Sequence, residues 1–424
     1  MSAMRRATAK TFAALKVPNY RKYFFGQMVS ASGTWMQSVA QGWLVLQISS
    51  GNAFYLGVAV ALSSLPILLF GALGGLVADR CDKRRIMLCT QSAAGLLAAT
   101  LGLLTVTHHV TVYEVFALAF LLGVVNLFDV PARQAFVHEL VGRELLANAV
   151  GLNSVLMNSG RLIGPAVAAA VIGTAGLAAC FFLNAASYVA VLAALTTLRH
   201  SEMHHVTPID RERGQLREGL RYVRHDAVLW RVLLAVAVVG TFAFNFTVTL
   251  PMLAERTFHD HQATGYGLLM ASMGVGAVIG GLLVAWRSRP GLRVLGGAGV
   301  LFGLSMAVVA LAANLYMAAG ALVVVGASSI GFTSTAISTL QTRSRSQMRG
   351  RVMSLQAMAF MGSTPIGAPL MGALGGLFSP RVALLVGALF TLATGLWLEG
   401  HRRARDAARD AQRAAGALSK AVAA

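Results

Sequence analysis

The sequence predicts an all-α integral membrane protein: twelve transmembrane helices in two six-helix bundles, with both termini cytoplasmic. Three observations carry this. The chain of 424 residues is 56% hydrophobic and only 12% charged, with a mean hydropathy of +0.66; a soluble domain carries about twice that charged share. The apolar residues come in runs of about 20, the length that crosses roughly 30 Å of hydrocarbon as a helix. Twelve such runs lie near 23–48, 54–78, 85–107, 113–136, 147–172, 175–198, 229–253, 264–286, 293–312, 315–340, 352–376 and 381–400. Finally, all but Arg161, Arg256 and Arg381 of the 35 Lys and Arg fall in the N-terminal segment, alternate loops and the tail. That is the positive-inside pattern, and it sets the orientation.

The same pattern removes one function class. A net charge of +19 invites nucleic-acid binding, but topology and attraction to anionic lipid at the cytoplasmic face already explain it. A small molecule and the bilayer are the expected partners, the chain is expected to be a monomer, and nucleic acid is not needed.

In chain order, residues 1–22 read as a basic amphipathic segment on the cytoplasmic surface, with no cleavable leader. Residues 23–198 form the first bundle, 199–228 a cytoplasmic linker, 229–400 the second bundle and 401–424 a basic cytoplasmic tail. The halves repeat weakly. "FGALGGLVADRCDKRRIML" aligns with "GAVIGGLLVAWRSRPGLRVL", matching Gly75 to Gly281, and "NSGRLIGPAV" aligns with "GSTPIGAPLM", matching Gly164 to Gly367. Six-plus-six halves with internal repeats are the build of transporters that rock about a central site.

The loop "GGLVADRCDKRR" narrows the reading. It resembles motif A of the major facilitator superfamily, which maps here onto Gly75, Asp79, Arg80, Lys83 and Arg84, with Asp82 where that pattern usually has Gly. The form "ADRxDKRR" looks like the branch of enterobactin exporters and macrolide-efflux-like proteins, the transmembrane secretion effectors. So do "GTWMQSVAQGWLVLQ", "DVPARQAFVHELVGRELLANAVGLNS" and "EGLRYVRHD". The resemblance spans roughly residues 14 to 400 and implies the major facilitator fold and alternating access in a bacterial-type inner membrane. It also implies gate charges. Asp79 would face the N-terminus of span eleven, and Arg84 or Arg80 would pair with Asp129.

Span five carries Gly151, Gly160, Gly164 and Pro165, which resemble motif C of exporters and antiporters, with Ala168 and Ala169 in place of its closing Gly pair. Small residues and a Pro allow close packing and bending. One turn before the Pro stands Arg161, on a face shared with Ser154 and Asn158. An Arg at the centre of a span costs about 2.5–3.5 kcal/mol on insertion scales. Either a solvated cavity uses it to bind substrate, or carbonyls and the neighbouring Asn and Ser satisfy it as a packing element.

The remaining cavity candidates follow helical spacing. Span one offers Ser30, Thr34, Gln37 and Gln41 on one face. Span seven offers Thr241, Asn245 and Thr249, and span ten Thr335 and Ser338. Phe242, Phe246, Met358 and Met361 would suit a large, partly apolar ligand. Asp129 is the acid lying clearly within a span, so the cavity favours neutral or anionic cargo, siderophore-like or otherwise amphipathic. A broad drug or macrolide pump, or a sensor that keeps the fold without transporting, is the alternative.

No enzyme is expected. HExxH and GxSxG motifs are absent from the sequence, and His108, His109, His204, His205, His259 and His261 lie in loops without metal spacing. Cys81, Cys89 and Cys180 are scattered. Cofactors are expected to be none, with the proton gradient as the energy source implied by the family.

Overall fold

A computed structural model describes residues 12–199, 202–204, 215–260, 263–286, 291–345 and 347–423, excepting the side chains at 72, 143, 147, 215–217, 285 and 402–423. Among the described residues there are helices and no strands. A 3₁₀ turn, Ala13–Lys16, leads into α1 (Pro18–Ile48), α2 (Ala53–Arg80) and α3 (Lys83–Val106). A continuous run, Val112–Thr196, is divided by two glycines into α4 (112–141), α5 (143–175) and α6 (177–196). The breaks are at Gly142 (φ 69°, ψ −177°) and Gly176 (φ 82°, ψ 177°), left-handed values that a Cβ makes costly. There follow α7 (Gln215–His225), α8 (Ala227–Phe242), α9 (Phe246–Met252), a π turn (Leu253–Thr257), α10 (Thr264–Trp286) and α11 (Leu292–Leu311). The last are α12 (Leu315–Arg343), α13 (Arg349–Met361), α14 (Thr364–Leu377) and α15 (Pro380–Ala423).

Local chemistry starts these helices. Asn52, Asp82, Asp226 and Asn314 each accept from backbone N–H groups in the first turn of α2, α3, α8 and α12, satisfying donors that the helix leaves unpaired. Thr111 and Glu114 form a capping box at the start of α4. Asp82, the departure from the motif A pattern, therefore has a structural role as a cap.

Among the described residues, ten helical stretches are long and apolar enough to cross a membrane, against twelve expected. Two physical reasons account for the difference. Glu144–Thr196 is a single apolar stretch, although Gly176 breaks it in two. In α1, Arg21, Lys22, Gln27, Gln37 and Gln41 dilute the hydropathy, so this 31-residue helix is not one of the ten. Large apolar side chains such as Leu69, Leu96, Leu282, Trp286, Leu304 and Leu389 cover the outside, as lipid-facing surfaces require.

The weak repeat has a structural counterpart. A Cβ on Gly164 would lie 2.5 Å from the Trp35 Cβ, so α5 packs closely on α1. Its sequence partner Gly367 meets the Thr241 carbonyl, so α14 packs closely on α8. The two halves use matched glycines to press corresponding helices together.

Several boundaries depart from expectation. The segment before α1 does not lie free on a surface where it is described: Ala14 is buried and donates its N–H to Asn148 Oδ1 at 2.9 Å. Residues 1–11 lie outside the described residues. The even four-residue spacing of span seven is interrupted, because the helix breaks after Phe242 and resumes at Phe246. The linker contains α7 from Gln215, while 200–201 and 205–214 lie outside the described residues.

Candidate functional site at the seam between the halves

The halves meet along two seams, α5 against α10 and α2 against α14. On the first, a Cβ on Gly267 would lie 2.5 Å from the Ala169 Cβ, and one on Gly274 would lie 3.1 Å from the Arg161 carbonyl. On the second, Gly372 faces the Ala53 carbonyl at 2.5 Å by the same measure, and Gly57 faces that of Ala368. Only glycine permits such approaches without moving a backbone. All four contacts lie between the level of Arg161 and the end bearing Gly51 and Gly375.

Arg256 closes that end. The π turn at Leu253–Thr257 carries it to the α1–α2 turn, where Nη2 donates to the Gly51 carbonyl at 2.7 Å. Nη1 reaches the Gly375 carbonyl near the end of α14 at 3.4 Å. One side chain of the second half thereby holds the first half against α14.

Arg161 lies on the seam, roughly midway along α5. Its guanidinium carbon sits 5.4 Å from the centroid of the Trp35 ring on α1, a cation–π distance. Its Nε is buried with no hydrogen-bond partner. Asn158 donates to the Ser154 carbonyl and Ser154 to that of Val150, each within its own helix, and neither is a partner of the Arg161 Nε. The charge is left with an aromatic face and an unused donor, which a ligand anion or dipole would complete.

Other expected cavity residues have different roles. Gln37 is 7% exposed and accepts from Asn184 Nδ2 at 2.6 Å, tying α1 to α6 inside the first bundle. Gln41, one turn on, is half-buried. Asn245 is 2% exposed at the break between α8 and α9, where its Nδ2 donates to the Thr241 carbonyl at 2.7 Å while its Oδ1 has no partner. Thr241 Oγ1 returns to the Ala237 carbonyl. Thr335 is buried and Ser338 half-buried on α12. Phe242 stacks on Phe390 at 3.9 Å, and Phe246 packs on Phe244 and Phe302. Phe246 is core, Phe242 is half-buried against the exposed Phe390, and Met358 and Met361 are exposed.

The motif A charges also differ from expectation. Arg84 donates from Nε to the Leu195 carbonyl at 2.7 Å and from Nη2 to the Thr196 carbonyl at 2.9 Å, capping the end of α6. Lys83 pairs with Glu139 at 3.0 Å. Arg80 is exposed, Asp79 half-buried and Gly75 buried. Asp129 instead accepts from Thr90 Oγ1 at 2.9 Å and Gln91 Nε2 at 2.8 Å, and faces Arg133 at 3.6 Å. The reason is depth. Asp129 lies thirteen residues before Gly142, about 20 Å along the helix, whereas Arg84 sits in the first turn of α3.

In the motif C-like stretch, Gly160 and Gly164 press on α1 at Ala31 and Trp35. Gly151 has nothing within 4 Å and is not a packing position. Pro165 belongs to the seam, since its carbonyl would lie 3.1 Å from a Cβ on Gly267.

Comparison with known proteins agrees with this architecture. The sequence pattern of the transmembrane secretion effector family matches residues 9–417. The enterobactin exporter of Shigella flexneri is 26% identical, over 90% of this chain and 91% of its own. The multidrug efflux pump Tap of Mycolicibacterium fortuitum is 26% identical over 82% and 87%. The staphyloferrin A transporter of Staphylococcus aureus is 27% identical over 62% and 66%. Among solved structures, a nucleoside transporter mutant superposes with a TM-score of 0.72 at 12% identity, covering 90% of this chain and 99% of that one. A bacterial homologue of ferroportin in an inward-facing state gives 0.67 at 14%, covering 90% and 98%. At these identities the likeness to solved structures concerns the fold.

Proposed function

The chain belongs to the transmembrane secretion effector family of the major facilitator superfamily, a multi-pass inner-membrane family, and from that premise we propose that it exports a siderophore-like or otherwise amphipathic small molecule by alternating access. The observation that carries the proposal is Arg161: a half-buried arginine at the seam between the halves, over the Trp35 ring, whose buried Nε is an unused donor. A cargo with an anionic or strongly dipolar group beside an apolar body would satisfy both partners.

In this reading the chain has twelve spans with both termini cytoplasmic, and the end bearing Gly51 and Gly375 is the outer face. The described state is then closed outward by the two glycine seams and Arg256. Cargo reaches Arg161 from the cytoplasm, and export follows when the seams part. The proton gradient drives the cycle. Asp129 is the exchanging acid, since among the described residues it is the one charged side chain in the buried class, and Arg84 is engaged elsewhere.

The test compares medium and cell contents by mass spectrometry with the gene deleted and restored. A compound that collects in the cells on deletion and returns to the medium on restoration supports export and supplies the cargo. No difference in iron-poor, iron-rich or drug-challenged growth refutes it. Loss of drug tolerance alone would select a drug pump instead.

A further inference from the structure

Away from the seam, two adjoining clefts open where α7, α8, α12 and α15 converge. One, of about 560 Å³, is lined by Tyr222, His225, Asp226, Thr342, Arg343 and Arg345. The other, of about 490 Å³, shares His225, Asp226 and Arg343 and adds Arg231 and His401. Arg343 borders both clefts, Arg345 the first and Arg231 the second, and Asp226 is the carboxylate lining them. That carboxylate is already committed: Asp226 Oδ1 accepts from the Val228 and Leu229 N–H groups, and Oδ2 from Arg343 at 3.0 Å. Arg231 and Arg345 have no acceptor for their side chains among the described residues.

Two histidines also line the clefts. His225 Nδ1 lies 2.7 Å from the Arg221 carbonyl and His401 Nδ1 lies 3.0 Å from that of Trp397. A carbonyl only accepts, so each Nδ1–H is spent on its own helix, and the donors left to the clefts are those of the arginines. Beside the clefts Arg224 stacks on Trp230 at 5.8 Å, and Trp230 is 38% exposed, as aromatic residues are at a membrane–water interface. Below that level Leu234 on α8 and Leu396 on α15 are exposed apolar residues.

We propose that this paired cleft binds the phosphodiester of an anionic phospholipid, with Arg231, Arg343 and Arg345 taking the phosphate oxygens and the acyl chains descending past Leu234 and Leu396. Guanidinium groups are the side chains best matched to phosphate oxygens, and the apolar surface below favours a lipid over free phosphate as the source. Placement in the inner leaflet rests on the orientation given under Proposed function; the cleft itself does not.

The experiment uses the purified full chain in non-ionic detergent. Retention of added phosphatidylglycerol and phosphatidylcholine is read by native mass spectrometry, with inorganic phosphate as competitor. Phosphatidylglycerol is expected to be retained preferentially, with Arg231→Gln/Arg345→Gln reducing its retention about ten- to thirty-fold, from the attraction per basic residue near an anionic surface. The exposed Arg345→Gln alone, which spares folding, gives an intermediate loss. Equal retention of phosphatidylcholine, or unchanged retention in both variants, overturns the proposal. So does displacement of the lipid by millimolar phosphate that protects the chain equally well by itself, which would assign the cleft to a soluble anion. A double variant that exports abnormally yet retains lipid normally makes the cleft a gating surface and also overturns it. Transport is not read in the lipid assay, so export can fail while the cleft stands. Reaction of Arg345→Cys with an impermeant thiol reagent in intact cells, in a background lacking the native cysteines, overturns the inner-leaflet assignment alone.

Discussion

Replacing Arg256 with Gln tests the closed end directly. The structure gives this side chain one good hydrogen bond across the seam, 2.7 Å to the Gly51 carbonyl, and one long contact, 3.4 Å to that of Gly375. A charged donor to a carbonyl contributes about 1.5–3 kcal/mol. Because Arg256 is exposed, only the low end applies to the first bond, and about 0.5 kcal/mol to the second, whose length weakens it. The sum, about 2 kcal/mol, is roughly a thirty-fold shift in the equilibrium between closed and open forms of this end. An open form present at about 1% would rise to about a quarter of the molecules. Spin labels on Phe54→Cys and Leu377→Cys, exposed positions on α2 and α14, read the separation after Cys81, Cys89 and Cys180 are replaced. A new long-distance population in Arg256→Gln is the expected result. An unchanged distribution would show that the glycine seams alone hold this end shut and would refute the reasoning.

Four further outcomes follow from the same geometry. Arg161→Ala should lower export more than tenfold with membrane levels retained, while Arg161→Lys keeps part of it; loss of the protein from the membrane would make the residue structural. Gly267→Leu, which must displace Ala169, should hold the same end open and abolish cycling, as read by the same label pair. Asp129→Asn keeps an acceptor for Thr90 and Gln91 but removes the charge facing Arg133, so cargo binding should persist while its response to a proton gradient disappears in vesicles. At Asp226, burial opposes ionisation, but the Val228 N–H, Arg343 and the Leu229 N–H outweigh it and hold the carboxyl below its usual range. A depressed carboxylate stabilises the fold above its unfolded value and loses that contribution as pH falls through the folded value. Asp226→Asn keeps the cap acceptor but loses the charge, so it should unfold at lower temperature than the parent at pH 7, by about 0.5–1 kcal/mol of ion pair and helix-end charge, with the gap closing below about pH 4.

The sequence alone determined what local pattern can encode: runs long enough to cross a bilayer and the Gly164–Gly367 correspondence. These survive because hydrocarbon demands internally bonded helices whatever the neighbours do. It also singled out Arg161, since one permanent charge in an apolar run is visible without coordinates. Partnership was not visible. Gln37, on the expected cavity face, is taken up by Asn184 from 147 residues away, and Asp129 is met by α3 residues deeper than Arg84 can reach. Phe246 sits at helical spacing from the polar stripe but faces Phe302, because the break after Phe242 changes the register. Arg256 stood out as a rare cation outside the basic loops, yet only the π turn and the approach of Gly51 and Gly375 make it a clasp. Helical period specifies which residues share a face; which helix comes to cover that face, and at what depth, is decided by long-range packing that no spacing within one span contains.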